Sequence, residues 1–395
     1  MAVTATALFL LSSCSKTAPT PFDCSTLSSI ASNTTLGPGT FNISCNIEVT
    51  SPSTLTIAPG TTLVFGQGNT LTVDQGASIS AVGTSSSPII FKGTQSTKGY
   101  WDGIFINSIS LTNQFTYCTV QDAGANTGNK FGANVSIYQG TAGFTNCTIT
   151  NSADAGVFFY GVYSQAQYVD AAVFNTFNNN TVTNNGSYPI VAFPSSAGSI
   201  GTGNIFTGNT NNVIGVRSET SDVSVNVTLS PLTVAYDFLQ LSGDQGEVFD
   251  KTFTIMPGTQ ILMGSGISLA ASTTGTFIAN GSSSSPIVIK GEQATAGFWG
   301  SLNVQSPNAN SFTYCTVSDG GGNASYAINA GQRGLIGTYM YIPSNRNITV
   351  RNCTLSNSGS SGIYVSPDAP ANTPVYNSDI STSNTFSGCS PNVQM

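Results

Sequence analysis

The apolar positions of this chain alternate in short bursts. Thr70-Leu-Thr-Val and Phe115-Thr-Tyr-Cys-Thr-Val each place an apolar side chain at every second residue, and Gly, Asn or a Pro-Gly pair then breaks the run. A period of two lines one face of a pleated strand, and the intervening residues are those that turn a chain. No stretch holds the 3.6-residue period of an amphipathic helix over a useful length. The pattern predicts an all-β chain of many short strands, which leaves a sandwich, a barrel and a β-solenoid open.

An internal repeat decides among these. LTIAPGTTLVFGQGNTLTV from Leu55 returns as FTIMPGTQILMGSGISLAA from Phe253. Pro59, Gly66, Gly83, Pro88, Lys92 and Trp101 recur as Pro257, Gly264, Gly281, Pro286, Lys290 and Trp299, each 198 residues on. FTYCTVQDAG from Phe115 recurs as FTYCTVSDGG from Phe312, and NCTITNS from Asn146 as NCTLSNS from Asn352. The module is duplicated, over roughly 41–235 and 236–395. Related strand phrases also recur within a copy (FTYCTV, then FTNCTI), followed by Asn clusters such as Asn178-Asn-Asn-Thr-Val-Thr-Asn-Asn. Stacked coils place like on like, so such Asn side chains can form hydrogen-bonded ladders at the turns. Tandem duplication also lengthens a solenoid without requiring a new core. The fold expected is a single-stranded right-handed parallel β-helix of two tandem homologous halves, the second continuous with the first.

The succession LTI-PGT, an apolar strand, SSPI-FKG and G-W-GI resembles secreted right-handed parallel β-helix proteins of the pectin-lyase-like superfold, from about Leu55 onward. The resemblance rests on structural motifs. It implies the fold, and it implies that polysaccharide lyase, glycoside hydrolase and esterase chemistry must each be looked for. Fold by itself does not assign any of them.

Composition changes the picture in two ways. Charged residues make up only 7% of the chain, so Ser, Thr and Asn must cover its surface. An ordinary soluble domain carries about 25%. The net charge of −7 and ten scattered basic residues exclude the basic stripe that nucleic-acid binding needs. His is absent, which removes the commonest general base and a common metal ligand.

At the start, an apolar run from Ala2 leads to Leu11-Ser-Ser-Cys14, similar to a bacterial lipobox. The run is too short to span a bilayer as a helix and fits the core of a signal peptide. The expectation is a signal peptide over 1–13, lipidation at Cys14 and a tether and N-terminal cap over 14–40. The protein would then be exported to the bacterial envelope and held on a membrane, at the outer membrane or cell surface. Disulfides are allowed there, and Cys24 with Cys45 could staple the N-terminal end. Cys118, Cys147, Cys315 and Cys353 share a strand register and read as stacked small apolar residues or as disulfides.

No catalytic set stands out. Asp122 and Asp319 recur at the end of the YCTV strand; they read first as turn residues and second as candidate catalytic acids. Trp101 and Trp299 read first as packing and second as sugar-stacking platforms. Phe159, Tyr160 and Tyr163, in Val157-Phe-Phe-Tyr-Gly-Val-Tyr, are the candidate exposed aromatic patch, of which half must face the core. Asp237, Asp244, Glu247 and Asp250 cluster at the junction of the copies; they read as a solvated loop, with calcium the only cofactor they suggest. The leading expectation is a non-catalytic envelope lipoprotein whose β-helix binds a glycan or a partner surface protein. A polysaccharide lyase or glycosidase is the second expectation, and a structural rod or assembly subunit the third.

Overall fold

The computed structural model describes residues 20–125, 132–160, 173–219, 222–240, 246–322, 333–338, 346–366 and 374–395. Every strand pairing between its named strands is parallel, and among the described residues helix is confined to Cys24–Leu27 and Pro194–Ala197. As far as Ala155–Tyr160 the sheets step by three strands, so one coil is three strands around; beyond it Thr181–Thr183 pairs Ile205–Thr207 and Ile190–Ala192 pairs Ile214–Val216, a step of two. Fourteen stacked strands form the longest sheet among the described residues. At about 4.8 Å per step that sheet runs for roughly 60 Å. The chain is an all-β, single-chain parallel β-helix.

Alternation fills the interior. Leu63 and Phe65, Ile104 and Ile106, and Val135 and Ile137 point inward and are buried, while their neighbours Val64 and Phe105 point out and are only partly covered. Stacking places like on like inside the coil as well. Phe115 lies on Phe144 with ring centroids 4.7 Å apart, and Phe253 meets its register partner Phe277 at 5.0 Å. Cys118 and Cys147 stack in neighbouring coils as free thiols, the Cys118 amide facing the Cys147 sulfur at 3.4 Å, and Cys315 and Cys353 repeat the arrangement. The turns after Pro59 and Pro257 place Gly60 and Gly258 at φ +80° and +83°, a region that glycine enters without steric cost. A disulfide joins Cys24 to Cys45 at the N-terminal end.

The Asn clusters form two ladders, one on each side of the strand Thr181–Thr183. On one side the Asn180 side chain takes the Cys147 amide at 2.9 Å and donates to Asn204. On the other, Asn185 takes the Ser152 amide and donates to Asn209 at 2.8 Å. Each rung satisfies a backbone group that the corner of the coil leaves without a sheet partner.

The two copies are not joined in phase. Ile89–Gly93 and Cys118–Gln121 lie in an eight-stranded sheet that ends at Ile205–Thr207. Their counterparts, Ile287–Gly291 and Cys315–Ser318, lie in the fourteen-stranded sheet. In the first copy that sheet is built from the next strand along the coil, such as Gly103–Ile106 and Ala133–Tyr138. The long sheet is therefore continuous, but the second copy enters it one strand out of step. The change occurs where Pro194–Ala197 replaces a strand with a helical turn, and where Val223 bridges Phe249 to found a new sheet.

Candidate functional site

The outer face of the long sheet carries the densest chemistry. Register alone sets one row: Phe105, Ser136, Phe158, Val191, Gly215 and Asp237 are successive partners on six stacked strands. Tyr138 and Tyr160 pair beside them, and Arg217, two residues beyond Gly215, continues on that side. All are outward because their neighbours on each strand fill the core. Phe105 and Tyr138 stack at 5.8 Å, Tyr138 and Tyr160 stand at 6.0 Å, and Phe158 and Tyr160 at 5.3 Å. The four rings are partly exposed and make a continuous aromatic strip across three coils.

The Arg217 guanidinium closes the strip, 5.4 Å from the Phe158 ring centroid and 5.9 Å from that of Phe193. Such a stack holds a cation over the negative face of a ring. Among the described residues Arg217 makes no ion pair, and its Nε is buried without a hydrogen-bond partner. Burial pushes the Tyr160 hydroxyl up to about 12, against the opposing pull of the Arg217 charge.

Next to Gly215 the face changes character. An added Cβ at Gly215 would meet Leu239 at 3.1 Å and Tyr188 at 3.3 Å, so glycine lets Tyr188 lie close over the sheet. Asp237 follows, 6% exposed, with Oδ1 buried and unpartnered. Desolvation, then the charge of Glu292 and a hydrogen bond with its carboxyl, push Asp237 up to about 8. A carboxylate beside a carboxyl favours the protonated form of the latter, since both cannot ionise cheaply. Burial and then the charges of Asp237, Glu292 and Asp154 raise Tyr188 as well.

Several residues singled out from the sequence are elsewhere. Trp101 and Trp299 are fully enclosed. Trp101 stacks on Phe65 at 4.2 Å and donates from Nε1 to the Gln121 carbonyl; Trp299 donates to Ser318. Phe159 is equally buried, because strand alternation turns it inward while Phe158 and Tyr160 turn out. None of these three can meet a sugar at the surface. Tyr163, Asp244 and Cys14 lie outside the described residues. Asp122 and Asp319 adopt φ of 69° and 71°, are nearly enclosed, and accept from Asn151 at 2.7 Å and Asn357 at 2.8 Å. Their carboxylates are committed to holding the corner of the coil.

The acidic set at the junction divides. Asp237 faces out on the long sheet, whereas Glu247 points into the core on another sheet, where burial and the neighbouring Glu219 raise its carboxyl. Asp250 acts on Asp222 instead. Among the described residues no three His, Cys, Asp or Glu converge as a metal site. Glu292 and Arg217 were missed by sequence reasoning. Glu292 did carry a signal, since it stands where the first copy has Thr94.

Residues 28–136 match a family model described as a pectate-lyase like beta helix domain. No curated protein and no solved structure matches the chain. The match covers the first coils, and the coils that follow continue the same solenoid.

Proposed function

We propose that the protein binds a glycan along the outer face of its long sheet, without cleaving it, as a lipid-anchored protein of the bacterial envelope. The observation that carries the binding reading is the strip of Phe105, Tyr138, Phe158 and Tyr160 ending at Arg217, which makes no ion pair among the described residues. Flat rings offer apolar faces to the C–H faces of sugars, and a few polar groups beside them fix orientation. An aromatic row on stacked strands also has the repeat of a linear polymer, since each coil adds one step of about 4.8 Å. The anchor reading rests on Leu11-Ser-Ser-Cys14 and would be tested by loss of lipid labelling in Cys14→Ser.

Cleavage is the second reading, drawn from Asp237 and Glu292. The two carboxyls of a glycosidase stand about 5–5.5 Å apart when a covalent intermediate forms, or about 6.5–9.5 Å apart when water must fit between them. Asp237 is more than nine-tenths buried with Oδ1 enclosed, so it is poorly placed to meet a scissile bond, which favours binding. The experiment is a retention assay on immobilised neutral and acidic polysaccharides, with new reducing ends and unsaturated products followed in parallel. Phe158→Ala and Arg217→Ala should each weaken retention by about tenfold or more. Retention unchanged in both would refute the strip, and product accumulation abolished by Asp237→Asn would replace binding with cleavage.

A further inference from the structure

The cation at the end of the strip has lost water without gaining a counter-charge. Val216 is the register partner of Ala192, so alternation turns Arg217 outward beside Phe193. Its guanidinium lies within 5.4 Å of the Phe158 ring centroid and 5.9 Å of that of Phe193, and the two rings fix its plane. Nε, at the base of the fork, is enclosed without a hydrogen-bond partner. The two terminal nitrogens are not enclosed as Nε is, and neither bonds to the protein. The acids nearby are engaged elsewhere. Glu219, two residues on, accepts from the Ser195 hydroxyl at 2.7 Å and from the Ser195 amide at 3.3 Å. Asp237, on the next strand in the row of Gly215, is enclosed and makes no ion pair with Arg217. In a chain of net charge −7, this arginine keeps an open, uncompensated edge. An anion that reaches that edge restores the charge-assisted hydrogen bonds that partial burial removed.

Resting on the glycan-binding reading, we infer that Arg217 is a specificity-determining residue of the strip: its terminal N–H groups donate to an anionic substituent, carboxylate or sulfate ester, of the glycan whose rings lie on the aromatic strip. The outer N–H groups of a guanidinium are parallel and coplanar, which matches two oxygens of either anion. Because Phe158 and Phe193 already hold the plane, little side-chain freedom is lost when the anion arrives. The division of labour follows from the chemistry of each part. Aromatic faces meet the C–H faces of sugars whatever substituent each carbon carries. The cation alone distinguishes a charged substituent from a hydroxyl, and it does so through an interaction that salt screens.

The test uses the full chain and matched hexamers on β-1,4-glucan and β-1,4-mannan backbones, each neutral, carboxylated at C6 or sulfated at C6. At about 20 mM salt an anionic member should bind about tenfold or more tighter than its neutral counterpart, and the gain should shrink several-fold at about 500 mM. Whether the carboxylated or the sulfated member gains identifies the anion. Arg217→Gln keeps a long polar side chain without the charge, so it should bind neutral and anionic members alike. Its neutral binding, within about threefold of wild type, checks that the face is intact. Arg217→Lys keeps the charge without the planar fork and should fall between the two. Lys92→Gln removes a like charge from the eight-stranded sheet and should leave the gain whole. Wild-type binding that does not discriminate, or a gain that survives Arg217→Gln, would overturn the role of Arg217 and leave the strip standing. Absence of binding by every hexamer and by longer polymers of each kind would overturn the glycan reading, and this inference with it.

Discussion

Asn180 makes the sharpest test of how the coils are held in register. The residue is fully buried. Its Oδ1 accepts from the Cys147 amide at 2.9 Å, and its Nδ2 donates to the Phe144 carbonyl at 3.0 Å and to Asn204 at 3.2 Å. Alanine would leave an amide and a carbonyl of the neighbouring coil buried and unsatisfied. Each such group costs about 1–3 kcal/mol, so Asn180→Ala should weaken the corner by about 3 kcal/mol. A solenoid does not spread that loss over the whole chain, because each coil contacts only its neighbours. The assay is therefore local: amide hydrogen exchange at Cys147, which should accelerate by about a hundredfold. Asn211→Ala is the control, since Asn211 is exposed. An exchange rate at Cys147 that rises less than about threefold, or a rise equal to that of the control, would refute the ladder as the element fixing this corner.

Two further outcomes are expected. Asp237 titrates near 8 in the folded chain against an ordinary 3.8, so the folded state holds an extra proton between those values. Its contribution to stability is complete below about 4 and is lost as pH rises through about 8. The slope is at most about 1.4 kcal/mol per pH unit, roughly halved because the proton is shared and some solvent remains. Thermal melts should show a midpoint falling across that window in wild type and flattened in Asp237→Asn; parallel profiles would sink the assignment. The two tryptophans are both enclosed, so glycan titration should leave their fluorescence maximum and acrylamide quenching unchanged. A ligand-dependent shift would mean that Trp101 or Trp299 reaches the surface after all.

The coil architecture was legible because it is written locally. Period two, Pro-Gly turns and recurrent YCTV phrases each report strand, corner or stacking, and Asn178 to Asn185 announced the ladders that Asn180 and Asn185 form. The site was much less legible. Sequence reasoning weighed the aromatic run around Phe159 correctly as half inward, but Phe158, which alternation turns outward, comes into line with Phe105 and under Arg217 only through strand register across the coils. Trp101 and Trp299 drew attention as large aromatics, yet their indole N–H groups had backbone partners waiting inside the corner. Asp237 was grouped with Glu247 because the two are ten residues apart, a separation that carries the chain to a different face of the coil. Its actual partner, Glu292, lies two strands along the long sheet. That neighbourhood depends on the step in phase between the copies, which leaves no mark in a repeat alignment.

The step has a consequence for what the duplication achieved. Had the copies followed in phase, Glu292 would have continued the line of Thr94 on the eight-stranded sheet, and the rod would carry the same features twice along one edge. Instead the face is a composite: Asp237 and Glu292 come from the second copy, the aromatics and Arg217 from the first. The rod therefore carries this arrangement once despite its doubled ancestry. Neither half, separated from the other, would hold the aromatic strip, Arg217 and the two carboxyls on one face, so the seam creates a surface that no single ancestral module could have offered.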